Sequence, residues 1–422
     1  MSEWISQKDR EILRELAKKQ YEMSQLPIMK EKIRDWEAMH AFRQNRPMIL
    51  LEMGTFVQEM IPPRMKCEGQ QAREIEWHLY DHMLPHEVYA DDFVVPDYYA
   101  VNWDVFFDLF DFREQREFAE DSEHRSLGHR FTHVITDLED DFPNLPKSRW
   151  GVDREKTLRK IDLLSDLFGD VLPVKHTMDA LYSVPTQKTV HMMGMETMFF
   201  SMMDYPEVFT EFMTRIADDT CAYFDWLEQE KLLLPTVRGE RLGQGTYCFT
   251  DELPADAATL GRDMKVSDVW GFMDSQETVG VSAEMFGEFI FPCYKRIAER
   301  FGRLSYGCCE PTDPIWEEYL SGFSHLRKVS ISPWCNQQYM GEQLRGRKTI
   351  FHRKPSPNYL GVDPVLDEAA LRAHIKETIG FARGCTLEFT QRDVYTIHNN
   401  PEKARRYVEI LRECIAEDWS PA

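Results

Sequence analysis

The chain has 422 residues, 43% of them hydrophobic and 29% charged, and its 50 Lys and Arg against 72 Asp and Glu give a formal net charge of −22. These are the proportions of a folded globular protein, so wholesale disorder is excluded, and the acidic balance disfavours a nucleic-acid backbone or an anionic membrane as the main partner. No run approaches the ~18 apolar residues of a membrane span. The first residues also lack a basic region followed by an apolar stretch, so a cytosolic protein is expected.

Residues 1–45 are charged and helix-prone. Leu13, Leu16, Met23 and Leu26 sit among Lys, Arg, Glu and Gln, and no glycine occurs before Gly54. They read as a helical extension packed outside the main domain and as a contact for a homodimer. The first strand is expected at Pro47–Met53 and the second at Phe93–Pro96, where the proline weakens the pattern. Residues 110–155 look like a charged excursion from the core. A third strand, Val171–Lys175, ends at His176, and residues 190–235 read as a helical layer. The methionines 192, 193, 195, 198, 202 and 203 of that layer lie at helical spacing and are expected in the core.

From about residue 265 strands and helices alternate. Strands are expected at Val269–Met273, Arg303–Gly307, Arg327–Ser332, Thr349–Arg353 and Thr386–Thr390. Asp367 is placed to cap a helix carrying Leu371, Ile375 and Ile379. Asn400 and Pro401 open another that carries Ala404, Tyr407, Val408, Leu411 and Ile415. Alternation implies parallel strands covered by helices. Three early and five late strands make eight, so residues 46–422 are expected to form a (β/α)8 TIM barrel, with an open doubly wound sheet as the structural alternative.

In a barrel the chemistry lies at the C-terminal strand ends. That rule selects Glu52, Met53, Asp97, His176, Asp274, Ser275, Gln276, Cys308, Cys309, Glu310, Ser332 to Cys335, Lys354, Arg392 and Asp393, of which His176, Asp274, Gln276, Cys308, Glu310, Trp334, Lys354 and Asp393 are the candidate site residues. A thiolate such as Cys308 is a strong zinc ligand and a good methyl acceptor or relay once its pKa is lowered. Asp393 could ligate a metal or act as a base, and Asp274 could be the general base. Gln276 could hydrogen-bond a polar substrate, Trp334 offers a flat apolar wall, Lys354 an anion contact, and His176 a further substrate contact. The nine cysteines are odd in number and irregularly spaced, which reads as reduced thiols, and only Cys308 and Cys309 are adjacent. Gly243-Gln244-Gly245 lacks the third glycine of a dinucleotide fingerprint, and neither a P-loop nor a His-Glu-x-x-His helix occurs.

Gly194-Met195-Glu196 followed by Met203 to Glu207, Ser282 to Phe286 with Glu288 to Lys295, and Asp393 to Glu402 together resemble the uroporphyrinogen decarboxylase superfamily. That superfamily includes the methylcobamide:coenzyme M methyltransferases. The decarboxylases carry paired arginines after the first strand, whereas this chain reads Leu51-Glu52-Met53-Gly54-Thr55-Phe56. The resemblance therefore points to the methyltransferase branch. It implies methyl transfer between a small methylated compound and a thiol or a corrinoid carried by a partner protein, assisted by zinc. Where that branch has His-x-Cys this chain has Tyr306-Gly307-Cys308, and where it has a last-strand Cys this chain has Asp393. The implied zinc ligands are therefore Cys308, Glu310 and Asp393. Two alternatives stay open: a metal-free lyase that decarboxylates a small or tetrapyrrole-type acid, and a non-catalytic corrinoid- or tetrapyrrole-binding relative.

Overall fold

In the computed structural model, which describes residues 5–120 and 126–421, seven strands run parallel in one sheet. They are β1 Met48–Leu51, β2 Leu181–Ser183, β3 Trp270–Met273, β4 Arg303–Tyr306, β5 Leu326–Ile331, β6 Ile350–Arg353 and β7 Leu387–Gln391. Their spatial order is β1-β7-β6-β5-β4-β3-β2, with every pairing parallel. The first strand thus pairs the last, Met48 against Glu388 and Leu51 against Gln391. Helices between the strands cover the sheet, and β1, β3, β6 and β7 are buried along their whole length, as strands of a covered parallel sheet must be.

The hydrogen-bonding does not run on from β1 to β2. A separate parallel pair, Tyr99–Asn102 with Val174–Thr177, stands in this region. Beside β2 lies a short antiparallel hairpin, Arg241–Gly243 with Thr246–Tyr247, joined to the main chain by Ala180 N–H donating to Arg241 O at 2.9 Å. The parallel pair and the hairpin line opposite parts of a cavity of about 1080 Å³. The molecule is therefore an α/β fold built on a large parallel sheet in a barrel-like arrangement.

The strand expected at Phe93–Pro96 falls instead at Tyr99–Asn102. Pro96 has no N–H for a ladder, and side chains satisfy this backbone: Lys32 donates to Phe93 O at 2.9 Å, and Gln20 to Pro96 O and Tyr98 O at 2.9 and 3.0 Å. The third strand is displaced to Val174–Thr177 for a similar reason, since Pro173 interrupts the earlier run. The excursion at 110–155 holds the antiparallel pairing of Arg116–Glu120 with Ser126–Phe131, and Arg149–Val152 pairs back with Val105–Asp108.

The first two helices, Gln7–Ser24 and Pro27–His40, pack on the rest of the chain. Ser6 caps the first by accepting from Asp9 N–H, and buried Asp9 in turn accepts from Glu68 and Gly69 N–H at 2.9 and 3.1 Å. On the second, Trp36 stacks on Phe249 at 5.7 Å and donates to Asp92 O, while Met29 and Met39 join Met48, Leu50 and Ile350 in one apolar cluster. Asp367 and Asn400 cap Glu368–Phe381 and Pro401–Asp418 as expected. In Pro185–Asp204 the methionines 192, 193, 198 and 202 are buried, but Met195 and Met203 are exposed. Among the described residues no helix is long and apolar enough to cross a membrane.

Candidate functional site

At the end of β4 the backbone leaves β geometry at Gly307, whose φ of +99° favours glycine. A β-carbon there would stand 2.9 Å from Ser330 Cβ and 3.0 Å from Thr312 Cγ2. On a regular strand the side chains of Cys308 and Cys309 would point to opposite faces. After this turn their sulfurs are 3.5 Å apart. Glu310, 1% exposed, spans the gap to the neighbouring strand end: one oxygen accepts from Cys308 N–H at 2.7 Å and the other from Ser275 N–H at 2.9 Å. Lys354, just after β6, sends its ammonium to Gly307 O and Cys308 O at 3.2 and 3.1 Å.

Two further elements complete the rim. Arg392, following β7, donates to Glu52 at 2.8 Å, to Cys308 Sγ at 3.6 Å and to Gln244 Oε1. Asp393, held at φ 56°, places a carboxylate oxygen 3.4 Å from Cys309 Sγ. Gln244 occupies the hairpin tip between Gly243 (φ +96°) and Gly245 (φ +77°), and its amide donates to Tyr182 OH at 3.4 Å. The hairpin is tied down by a buried network in which Lys328 donates to Glu388 at 2.7 Å and to Thr246 Oγ1 at 2.6 Å.

Asp274, at the end of β3, is 2% exposed, and its Oδ1 has no hydrogen-bond partner. Burial pushes its carboxyl well above the usual range, and the nearby Glu310 and Cys308 add to this. Cys308 goes the other way. The Cys309 S–H donates to it, and Lys354 and Arg392 add positive charge, so that its thiol falls to about 7 although burial opposes ionisation. Cys309 is correspondingly raised, because it is the donor of that contact and is buried beside Asp393. The arrangement thus favours ionisation of Cys308 and protonation of Asp274 relative to the free side chains.

Of the residues selected by sequence, Cys308, Glu310, Asp393, Asp274 and Lys354 converge here. Three do not. Gln276 is exposed, and the next residue, Glu277, turns inward to accept from Thr186 Oγ1 at 2.9 Å. Trp334 is 75% exposed, so it forms no enclosed wall, while its neighbour Cys335 is buried against Thr312. His176 lies in the separate parallel pair, edge-on to Trp103 at 4.0 Å. Gln244 and Tyr182 were not anticipated as site residues, whereas Glu52 and Arg392 were picked out as strand-end residues without a role of their own. The closely spaced glycines at 243 and 245 were the one available signal for Gln244.

Among the described residues no group of three or more His, Cys, Asp and Glu side chains is arranged to hold a metal ion. The donors expected for zinc have other partners in this structure. Both oxygens of Glu310 are engaged by backbone N–H groups, and the cations of Arg392 and Lys354 stand where a dication would be repelled.

No protein-family model matches the chain, and no curated protein matches it. Among solved structures it is similar to a methyltransferase from Methanosarcina mazei, with TM-score 0.47 and 11% identity, over 89% of this chain and 96% of that one.

Proposed function

We propose that the protein is a barrel-type methyltransferase that takes a methyl group from a small methylated compound and passes it to a second acceptor, a thiol or the corrinoid of a partner protein. In this reading Cys308 is the methyl relay. Its sulfur attacks the methyl carbon in line, the S–C bond forms, and the bond to the donor heteroatom breaks with its electron pair leaving on that atom. Asp274 supplies the proton that the departing group takes up. The acceptor then attacks the same carbon, and Cys308 leaves as a thiolate.

Both halves gain from whatever stabilises that anion. Arg392 and Lys354 supply the positive charge that zinc would supply in the implied ligand set, and no step needs a metal. Asp393 and Gln244 are positioning residues, the first for Cys309 and the second for Arg392. The observation that carries the reading is the placement of Cys308, its sulfur 3.6 Å from the Arg392 guanidinium and its carbonyl 3.1 Å from the Lys354 ammonium, at the same cluster of strand ends as the buried carboxyl of Asp274.

The test is single turnover with methyl-labelled thioether, amine and ether donors, followed by mass spectrometry of the tryptic peptide Leu304–Arg327, in which Cys308 and Cys309 are the only cysteines. The expected result is a labelled methyl on Cys308 in the wild type, lost in Cys308→Ser and chased off by an added thiol. Methyl transfer that persists in Cys308→Ser would overturn the relay.

A further inference from the structure

We infer that Cys308 and Cys309 form a reversible oxidation site for hydroperoxides, closing to a disulfide between neighbouring residues. The chemistry stands on geometry alone; only its effect on methyl transfer rests on the function proposed above. Adjacent cysteines on a strand cannot meet, but the turn at Gly307 brings these two sulfurs to 3.5 Å on one side of the chain. They also differ in surroundings. The Arg392 guanidinium points at Cys308 Sγ, and Cys309 Sγ lies 3.4 Å from an Asp393 carboxylate oxygen. Of the nine cysteines Cys309 alone is partly exposed, while Cys308 and the other seven are buried.

The steps balance as follows. The Cys308 thiolate attacks the hydroperoxide, the O–O bond breaks and an S–O bond forms, giving the sulfenic acid; the expelled alkoxide or hydroxide takes from water the proton that Cys308 released on ionising and leaves as an alcohol or water. Cys309 gives its proton to Asp393 and attacks the Cys308 sulfur. The S–S bond forms as the S–O bond breaks, and the leaving hydroxide takes the proton back from Asp393 as water. In sum, two thiols and one hydroperoxide become a disulfide, an alcohol and water. Neighbouring Cα atoms lie only ~3.8 Å apart, shorter than the ~4.4–6.8 Å of ordinary disulfides, so a dithiol should reopen the bridge readily. While closed, it removes the Cys308 sulfur from the reach of any donor.

The experiment treats the full chain with stoichiometric hydrogen peroxide and examines the Leu304–Arg327 peptide by mass spectrometry. The expected product is lighter by two hydrogens, resists iodoacetamide and is restored by dithiothreitol. In Cys309→Ser the bridge cannot form, and dimedone is expected to trap a sulfenic acid on Cys308 instead. A wild-type peptide that gains oxygen atoms without bridging, or that stays reduced while other cysteines oxidise, overturns the inference. If the bridge forms but methyl transfer continues, the oxidation site stands and the relay role of Cys308 falls.

Discussion

Lys354 reaches the carbonyl oxygens of Gly307 and Cys308 rather than a carboxylate. Burial lowers the ammonium's own pKa, and the Cys308 sulfur is the first group that opposes this, so lysine and thiol support each other's charge. Replacing it by Lys354→Met is expected to move the midpoint of Cys308 alkylation upward by about one pH unit or more, because a neighbouring opposite charge is lost. The check is the rate of iodoacetamide labelling against pH, read on the Leu304–Arg327 peptide.

The pH dependence of methyl transfer should follow from two groups shifted in opposite directions. The depressed Cys308 supplies a thiolate that is lost as pH falls through about 7, so the rate should rise across that value. Asp274, raised, keeps its proton until the pH climbs well above the ordinary carboxyl range, and the rate should fall there. Asp274→Asn is expected to remove the alkaline limb and to cost about 10²–10⁴ in rate, whereas the acid limb stays with Cys308. A profile recorded on both proteins decides this.

The hairpin tip is the most conformationally demanding part of the site. A β-carbon on Gly245 would lie 2.8 Å from Thr390 Cγ2, at a φ of +77°. Gly245→Ala should therefore displace Gln244 and release Arg392 from its orientation toward Cys308. The expected outcome is a large loss of methyl transfer with a slower, higher-midpoint alkylation of Cys308, while far-ultraviolet circular dichroism is unchanged.

Lys328 and Glu388 are both fully buried and pair at 2.7 Å beneath that hairpin. Lys328→Met strands a carboxylate in the interior and should cost about 3–5 kcal/mol in urea unfolding. The double variant Lys328→Met with Glu388→Gln removes the stranded charge and should recover part of that loss.

Much of this architecture could be read from spacing. The five late strands fall within a residue or two of their expected places, because strands and helices alternate regularly there and Asp367 and Asn400 mark the starts of the helices before and after the last strand. The early strands were harder, since Pro96 and Pro173 break the runs and β2 has only three residues. The site shows the same division. Cys308, Glu310, Asp274, Lys354 and Asp393 sit at strand ends, where position along the chain predicts position in space. Glu52 follows the first strand and is legible by the same rule, but Gln244 reaches the site from a hairpin, and only the folded chain sets it against Arg392. Gln276 and Trp334 lie at strand ends too, but loop conformation turns them outward, which periodicity cannot report.

The central claim is that Cys308 carries a negative charge near neutrality by virtue of the Cys309 S–H, Lys354 and Arg392. It is tested most directly by the ultraviolet absorbance of the thiolate, titrated against pH in protein dialysed against chelator, with Cys308→Ser as the reference. The account predicts a difference of one thiolate appearing with a midpoint near 7, unchanged by the chelator. A midpoint at the ordinary cysteine value of ~8.5, or a step that appears only when zinc is added back, would contradict it.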